Sequence, residues 1–243
     1  MAVKTVHYKG AIFSISYEIL NPQQTTNIIF LHGWGSHKTL MKQAFSKTLP
    51  SFRHIYIDMP GFGGSNCDIA LQTTDYAQIM ELFLTQIDAR KNVILGHSFG
   101  GKVATLLNAE LLVLVASAGI LVPKPLKIRT KIALFKLLKF TGLTSLRSLF
   151  VAPDAQGMSE VMYQTFKNVV NEDFTDYFKA FKNKALLCFG KQDTATPLWT
   201  GEVMQKLIKD SRLVAYDGDH YFLLKEGASI GHEIEKSMDK KEE

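Results

Sequence analysis

The chain contains very little cysteine, with only Cys67 and Cys188 among 243 residues. Two cysteines this far apart are too few for a disulfide framework or a zinc cluster, which favours a reduced, cytoplasmic setting. The N-terminal residues lack the hydrophobic segment of a secretory signal. The longest apolar run, from Leu111 to Val122, is well short of a membrane span. These absences predict a cytoplasmic protein without a transmembrane segment.

The overall composition is that of an ordinary globular protein. Hydrophobic residues make up 46% of the chain and charged residues 21%, which is enough apolar material for a full core. The formal net charge of +5 is modest. No nucleic-acid-binding motif accompanies that charge, so a nucleic-acid partner is not expected. A chain of this length fits one α/β domain with room for an inserted subdomain.

Short apolar segments alternate with helical patterns along most of the chain. The predicted strands cover residues 3–8, 11–19, 27–31, 53–58, 93–95, 111–116, 185–190 and 212–216. The predicted helices cover residues 40–49, 75–89 (with Thr74 as the N-cap), 101–107, 200–208 and 228–238. This alternation predicts an α/β fold with a mostly parallel central sheet and helices on both of its faces.

One region breaks the alternation. From about Gly119 to Phe181 the sequence has helical patterns and no convincing strand. We therefore predict a helical cap over residues 119–181, inserted into an α/β core that is formed by residues 1–118 and 182–243. The alternative is a set of ordinary helices on the faces of the sheet.

A Gly-x-Ser-x-Gly motif, residues 96–100, follows one apolar strand and precedes a helical segment. A nucleophile elbow requires this strand–turn–helix context, and its glycines avoid clashes in a strained turn. The turn lifts the Ser98 hydroxyl above the sheet edge, beside the N-terminus of the next helix. The free N–H groups and the dipole of that helix favour developing negative charge. Ser98 is the predicted nucleophile.

A serine hydroxyl needs a base within hydrogen-bond reach, and histidine has a pKa suited to that task. His220 is the best placed histidine, because it lies in a loop after the last predicted strand. Asp193 directly follows the predicted strand 185–190, at a carboxyl end where ligand chemistry collects in open α/β sheets. We predict that Asp193 orients His220. His97 adjoins Ser98, but neighbouring side chains diverge on a sharp turn.

Other histidines and carboxylates receive structural interpretations. His32 lies in a His-Gly turn, where packing or a local hydrogen bond is the expected role. Asp217 and Asp219 share the loop of His220 and are expected to be solvated turn residues. Asp58 is expected to brace the turn at residues 60–65.

The tetrahedral intermediate of acyl transfer needs two N–H donors for its oxyanion. One predicted donor is the backbone N–H of Phe99, directly after the nucleophile. The second is the backbone N–H of Trp34, in a loop that Gly33 and Gly35 allow to fold tightly. Trp34 and Phe99 are therefore also the predicted substrate-binding residues. The Trp34 side chain either walls the acyl pocket or packs beneath the cap.

Five motifs in this order resemble the capped α/β-hydrolase superfamily. They are His32-Gly33-Trp34-Gly35, Asp58-x-Pro60-Gly61-x-Gly63-x-Ser65, Gly96-His97-Ser98-Phe99-Gly100-Gly101, Gly190-x-x-Asp193-x-x-x-Pro197 and Gly218-Asp219-His220. The resemblance implies the α/β-hydrolase fold, and its chain order of Ser, Asp and His is the order found here. Two branches are similar: the meta-cleavage-product carbon–carbon hydrolases and the carboxylesterases that release pimeloyl methyl ester. His97 and Tyr221 stand where the former usually have Asn and Trp.

The predicted cap is strongly basic. Between Leu111 and Pro153 there is no Asp or Glu, and the seven basic residues are Lys124, Lys127, Arg129, Lys131, Lys136, Lys139 and Arg147. A cap helix with solvated lysines, a docking surface for an acidic carrier protein or anionic substrate, and a membrane-surface helix all fit this pattern.

Together these residues predict a serine hydrolase that cleaves a carboxylic ester-like bond through an acyl-enzyme. The chemistry needs no metal or organic cofactor. A carbon–carbon hydrolase acting on a 2-hydroxy-6-oxo-dienoate with the same triad is the alternative activity. A non-catalytic, ligand-binding relative is the alternative of a different class.

Overall fold

The computed structural model describes residues 2–123 and 158–239. Within these ranges one sheet contains the strands β1 (Ala2–Tyr8), β2 (Ala11–Leu20), β3 (Asn27–Leu31), β4 (Arg53–Ile57), β5 (Val93–His97), β6 (Leu111–Val115), β7 (Lys184–Gly190) and β8 (Ser211–Tyr216). Their order across the sheet is β1-β2-β4-β3-β5-β6-β7-β8. The pairs β1–β2 and β2–β4 are antiparallel, and all the other neighbours are parallel. The predicted mostly parallel sheet is confirmed.

Helices cover both faces of this sheet. They are α1 (Lys38–Phe45), α2 (Thr73–Gln86), α3 (Phe99–Leu107), α4 (Glu160–Val169), α5 (Thr175–Ala180), α6 (Leu198–Leu207) and α7 (Leu223–Asp239). The central strands are buried on both sides, as a parallel sheet between helices requires. Ile29 and Leu31 of β3 belong to the core on the side of α2, α3 and α6. Ile28 and Phe30 belong to the core on the side of α1 and α7.

Two predicted helix starts are wrong. The N-cap of α2 is Gln72 rather than Thr74, and its backbone N–H donates to Asp75 Oδ2 at 2.8 Å. The last helix begins at Leu223 rather than near residue 228. Gly227 lies inside that helix, close to α1. A Cβ at this position would stand 2.0 Å from the backbone oxygen of Ala44 in α1, so only glycine fits here. The glycine therefore permits close helix packing and does not break the helix.

The predicted cap falls only partly within the described residues. Its described residues, 119–123 and 158–181, include α4 and α5 between β6 and β7. Residues 124–157, with all seven basic positions from Lys124 to Arg147, lie outside the described residues. The boundaries of a cap at 119–181 therefore stay a prediction. No helix within the described ranges is both long and apolar enough to cross a membrane.

The sheet brings three predicted site residues to one edge. Ser98 directly follows β5, Asp193 follows β7, and His220 follows β8. Because β5, β7 and β8 are parallel, their carboxyl ends meet at the same edge of the sheet. The fold thus joins positions that are more than 120 residues apart in sequence.

Candidate active site

Ser98 lies in a strained turn between β5 and α3. Its φ is 52° and its ψ is −116°, a conformation that residues other than glycine rarely adopt. A Cβ at Gly96 would stand 2.4 Å from the backbone oxygen of Gly100. A Cβ at Gly100 would stand 2.4 Å from the backbone oxygen of Leu31, at the end of β3. Both glycines are therefore required by direct contact between backbone segments.

The loop after β3 lies against the same turn. A Cβ at Gly33 would stand 3.1 Å from the Cβ of Ser98, so this loop contacts the serine directly. The N–H of Ser36 donates to the oxygen of Gly33 at 3.2 Å, which closes a tight turn around Trp34. Phe99 is the first residue of α3, and an N–H at that position has no carbonyl partner within its own helix. The structure brings Trp34 and Phe99 beside Ser98.

Asp193 and His220 form a close pair. His220 Nδ1 is 2.7 Å from Asp193 Oδ2, and the carboxylate is fully buried while the imidazole is partly exposed. The other carboxylate oxygen, Oδ1, accepts the backbone N–H groups of Ala195 at 2.7 Å and Thr196 at 3.0 Å. With Oδ1 held by the main chain, Oδ2 is aimed at the imidazole. His220 Nδ1 then carries its proton toward Asp193 and leaves Nε2 free to accept one.

Hydrogen bonds keep Asp193 ionised in spite of its burial. Burial acts to raise the pKa of the Asp193 carboxyl, but His220 and the N–H of Thr196 outweigh that effect and hold the pKa below its usual value. The carboxylate is therefore charged at neutral pH. A buried negative charge at this position favours a histidine that becomes protonated during a reaction.

The competing residues have the structural roles that the sequence suggested. His32 Nδ1–H donates to the oxygen of Gly33 at 2.8 Å, and His32 Nε2 accepts the N–H of Met59 at 3.0 Å. Burial lowers the pKa of His32 to about 4, so its ring is neutral. Asp58 accepts the N–H of Gly64 at 2.9 Å, which braces the turn at residues 60–65. Asp217 is exposed and pairs with Lys191 at 2.9 Å.

His97 is in contact with His220, which the sequence argument did not anticipate. Its Nε2–H donates to the backbone oxygen of His220 at 3.0 Å, and the two ring centroids are 4.8 Å apart. Its Nδ1 has no hydrogen-bond partner among residues 2–123 and 158–239, and a buried unpaired acceptor costs about 1–3 kcal/mol. Nδ1 faces Gly33, whose added Cβ would stand 3.1 Å away.

Thr196 is a second residue that sequence reasoning missed. Its hydroxyl lies 2.7 Å from Asp193 Oδ2, 3.0 Å from the backbone oxygen of Ala116 and 3.3 Å from His220 Nδ1. It thus connects the Asp193–His220 pair to the chain that leaves β6. The sequence offered one indication of this role: Thr196 comes three residues after Asp193, a spacing at which a hydroxyl can hydrogen-bond to the carboxylate.

A cavity of about 130 Å³ opens beside Ser98. The described residues that line it are Trp34, Ser98, Phe99, Lys102, Ala118, Phe166, Val169 and Val170. The ring of Trp34 packs against Phe62, Phe99 and Phe166, with centroid distances of 4.9, 5.6 and 5.3 Å. Trp34 therefore lines the cavity and also packs against Phe166 of α4.

Lys102 joins α3 to the cavity wall. It is 2% exposed, and its Nζ donates to the backbone oxygens of Val169 at 2.6 Å and Glu172 at 3.4 Å. The Glu172 carboxylate lies 3.3 Å from the same Nζ. A cation here satisfies carbonyls at the C-terminus of α4 and complements its dipole. Although Lys102 lines the cavity, its charge is already paired.

Cys67 and Cys188 are both free. Burial raises the pKa of Cys67 to about 11 and that of Cys188 to about 12, so both thiols are protonated at neutral pH. Within the part of the chain that the structure describes, no group of three or more His, Cys, Asp or Glu residues is placed to hold a metal ion.

The model of the alpha/beta hydrolase family matches residues 28–228. The chain belongs to this family. A pimeloyl (acyl-carrier protein) methyl ester esterase from Vibrio campbellii is 38% identical over 82 residues, which are 34% of this chain and 31% of that relative. The match therefore spans about a third of the length of the curated relative.

Solved structures share the fold over nearly the whole chain. An esterase from Exiguobacterium antarcticum has a TM-score of 0.72 at 21% identity, covering 92% of this chain and 95% of its own. A mutant of a meta-cleavage product hydrolase has a TM-score of 0.69 at 18% identity, covering 98% of each chain. At these identities the likeness establishes the α/β-hydrolase fold alone.

Proposed function

We propose that the protein is a serine hydrolase that cleaves carboxylic esters through an acyl-enzyme. The observation that carries the proposal is the Asp193–His220 pair at 2.7 Å. His220 contacts His97, the residue directly before a strained Ser98 that opens on a cavity. Family membership and the esterases among the similar proteins support it. The two free cysteines also fit the predicted cytoplasmic setting.

In the proposed reaction the Ser98 oxygen attacks the ester carbonyl, and His220 Nε2 takes the hydroxyl proton. Asp193 stabilises the resulting imidazolium. The N–H groups of Trp34 and Phe99 hold the oxyanion of the tetrahedral intermediate. The carbon–oxygen bond then breaks, and His220 gives its proton to the departing alcohol. A water molecule then gives a proton to His220 and attacks the acyl carbon. The bond between that carbon and the Ser98 oxygen breaks, His220 returns the proton to this oxygen, and the acid leaves.

The cavity favours an uncharged acyl group. Among the described residues its walls come mainly from apolar and aromatic side chains, and the charge of Lys102 is committed to the end of α4. A carboxylate entering this space would lose its hydration without gaining a free cation from residues 2–123 or 158–239. Nucleophile and base are both side chains of the protein, so the proposed reaction needs no metal or organic cofactor.

The decisive experiment compares wild type with Ser98→Ala on p-nitrophenyl esters of increasing acyl length. Ser98→Ala should lose about a thousandfold or more in kcat without loss of folded protein. Ser237→Ala is the matched control, because its hydroxyl donates to the backbone oxygen of Glu233 within α7, and it should behave as wild type. A fluorophosphonate should label wild type at Ser98. Turnover that persists in Ser98→Ala would show that the serine assignment is wrong.

The same panel separates the alternative activities. A 2-hydroxy-6-oxo-dienoate belongs in it, since one structural neighbour is a meta-cleavage product hydrolase. Turnover of the dienoate with no turnover of any ester would replace the proposal with carbon–carbon bond hydrolysis. Binding of these compounds without turnover, and without fluorophosphonate labelling, would instead indicate a non-catalytic ligand-binding relative.

We further propose that the physiological ester is carried by an acidic carrier protein. The support is the basic sequence from Lys124 to Arg147 and the curated relative that is named for such a substrate. Reversing Lys127, Arg129 and Lys131 to Glu should raise KM for a carrier-linked ester but leave a small ester unaffected. Equal effects on both substrates would contradict the carrier-protein proposal. Binding of the wild type and the triple variant to anionic lipid vesicles is measured as well, and binding that the variant loses would favour a membrane surface instead.

A further inference from the structure

The His97 ring is a buried polar group that the proposed reaction does not use. It is 1% exposed and ends β5, directly before Ser98. Its Nε2 lies 3.0 Å from the backbone oxygen of His220. A carbonyl oxygen can only accept, so the ring proton is on Nε2 and Nδ1 keeps a lone pair. The ring therefore makes one specific bond, and it makes that bond to the backbone of the proposed base.

Two simpler roles do not fit this ring. A side chain that only fills space would be better as a hydrocarbon, because Nδ1 of His97 finds no partner within the described ranges. A base must accept a proton near neutral pH, whereas burial and the neighbouring His220 lower the pKa of His97 to about 3. The role that remains for His97 is to donate its Nε2–H to the backbone oxygen of His220.

That bond connects the loop that carries His220 to the turn that carries Ser98. On the side of Asp193, the loop that carries His220 is held by the Asp193–His220 pair and by the N–H of Gln192, which donates to the oxygen of Gly218 at 3.0 Å. On the side of Ser98, the loop is held by the bond from His97 and by the ring contact at 4.8 Å. His97 is covalently attached to Ser98, so its bond fixes His220 relative to the serine.

We propose that His97 is a positioning residue, whose bond to the His220 carbonyl sets the distance between the His220 imidazole and the Ser98 hydroxyl. The inference rests on the proposed function of those two side chains. Proton transfer depends steeply on this distance, and a displacement of about 1 Å can cost about a hundredfold in rate.

Three substitutions at position 97 isolate the bond. Gln places an amide N–H the same number of bonds from Cα as the Nε2 of histidine. Met has the same length and flexibility but no donor. Asn has a donor that is one carbon too short to reach the His220 carbonyl, and it keeps a polar side chain in case His97→Met does not fold.

We expect His97→Met and His97→Asn to lower kcat for the best ester by about 10- to 100-fold, with KM within about twofold. His97→Gln should recover most of the lost kcat. The rate of labelling by a fluorophosphonate should follow the same order, since labelling uses the same hydroxyl and base. A role in packing alone would not distinguish Gln from Met in this way.

The proposal is overturned if a folded His97→Met or His97→Asn keeps wild-type kcat, if His97→Gln falls as far as Met, or if only KM changes. Crystal structures of wild type and the Met variant test it without any substrate. A Ser98 Oγ to His220 Nε2 distance longer by about 1 Å supports it, and an unchanged distance overturns it. Failure of wild type to turn over or be labelled would instead count against the proposed function, and the structural comparison would still decide the role of His97.

Discussion

The candidate site has two halves, and each half is held in shape by a different kind of contact. The elbow half comprises residues 96–101 and Gly33, where backbone lies directly on backbone at Gly96 and Gly100. The loop half comprises residues 192–196 and 217–222, where side-chain hydrogen bonds fix the geometry, above all the bond between Asp193 and His220. Gly96 and Gly100 leave no room for a side chain, whereas the loop half keeps its shape through bonds that can be weakened one at a time.

This difference predicts two patterns of mutational sensitivity. At Gly96 and Gly100 of the elbow half an added methyl group must displace backbone, so substitutions of these two glycines should act in an all-or-none manner. In the loop half each hydrogen bond contributes about 1 kcal/mol to stability, so substitutions should act gradually on folding and strongly only where they touch the proposed proton transfer. The following experiments test this contrast.

The largest effect is expected for Gly100→Ala. Its Cβ would stand 2.4 Å from the backbone oxygen of Leu31, and overpacking against rigid backbone costs about 3 kcal/mol or more. We expect little folded protein and no ester hydrolysis, measured by urea unfolding and by turnover. Gly10→Ala is the control: its φ of 76° is strained but nothing lies within 4 Å, so it should cost only about 1–2 kcal/mol. Equal losses in the two variants would refute the steric explanation.

Asp193→Asn should preserve the fold but remove most of the activity. The amide cannot stabilise the His220 imidazolium or enforce its tautomer, so kcat should fall by about a thousandfold to ten thousandfold with little change in KM. Asp217→Asn is the matched control, because Asp217 is exposed and only pairs with Lys191. A comparable loss in the control, or wild-type kcat in Asp193→Asn, would reject the proposed role of Asp193.

A smaller effect is expected for Thr196→Val, which removes the hydroxyl between Asp193 Oδ2 and the backbone oxygen of Ala116. We expect kcat to fall about tenfold and the free energy of unfolding to fall by about 1–2 kcal/mol. Thr196→Ser keeps the hydroxyl and should retain both. If Ser and Val behave alike, the methyl group rather than the hydroxyl is what matters.

The smallest effect concerns pH. Burial lowers the pKa of His97 to about 3, against 6.5 as the ordinary value. Between these pH values the unfolded chain binds a proton that the folded chain excludes, so the free energy of unfolding falls as pH falls below 6.5. His97 alone should contribute about 1 kcal/mol per pH unit. Urea unfolding near pH 7 and near pH 5 should show a shallower pH dependence in His97→Gln and an unaltered one in the surface control His232→Gln.

The elbow half could be predicted from the sequence because its requirements are local. An apolar strand, glycines at fixed spacing and a following helix lie within a dozen residues, and the geometry of Ser98 follows from them. The pairing of Asp193 with His220 could also be anticipated, because Asp193 directly follows one predicted strand and His220 lies in the loop after another, and the carboxyl ends of both strands must reach the common edge. The strands and their parallel arrangement followed from the same short apolar runs.

The remaining contacts depend on partners that are distant in the sequence. His97 bonds to a residue 123 positions away, and Lys102 to one 67 positions away. Nothing in the sequence near either residue indicates these partners. The early start of α7 has the same origin, because Gly227 is explained by Ala44 of α1 and not by its own neighbours. Local sequence patterns predict helices, strands and motifs. The side chains that stabilise these elements through long-range contacts are identified only from the folded structure.

Lys102 connects the wall of the cavity to the helix that follows Ser98. Lys102 stands four residues after Ser98 on α3, and its ammonium donates to the backbone oxygen of Val169, the last residue of α4. If a larger acyl group displaced α4, this bond would transmit the displacement to the first turns of α3, which follow Ser98. Exchanging α4 alone to accept longer substrates should therefore also disturb the position of Ser98, unless the replacement keeps a carbonyl oxygen within reach of the Lys102 ammonium.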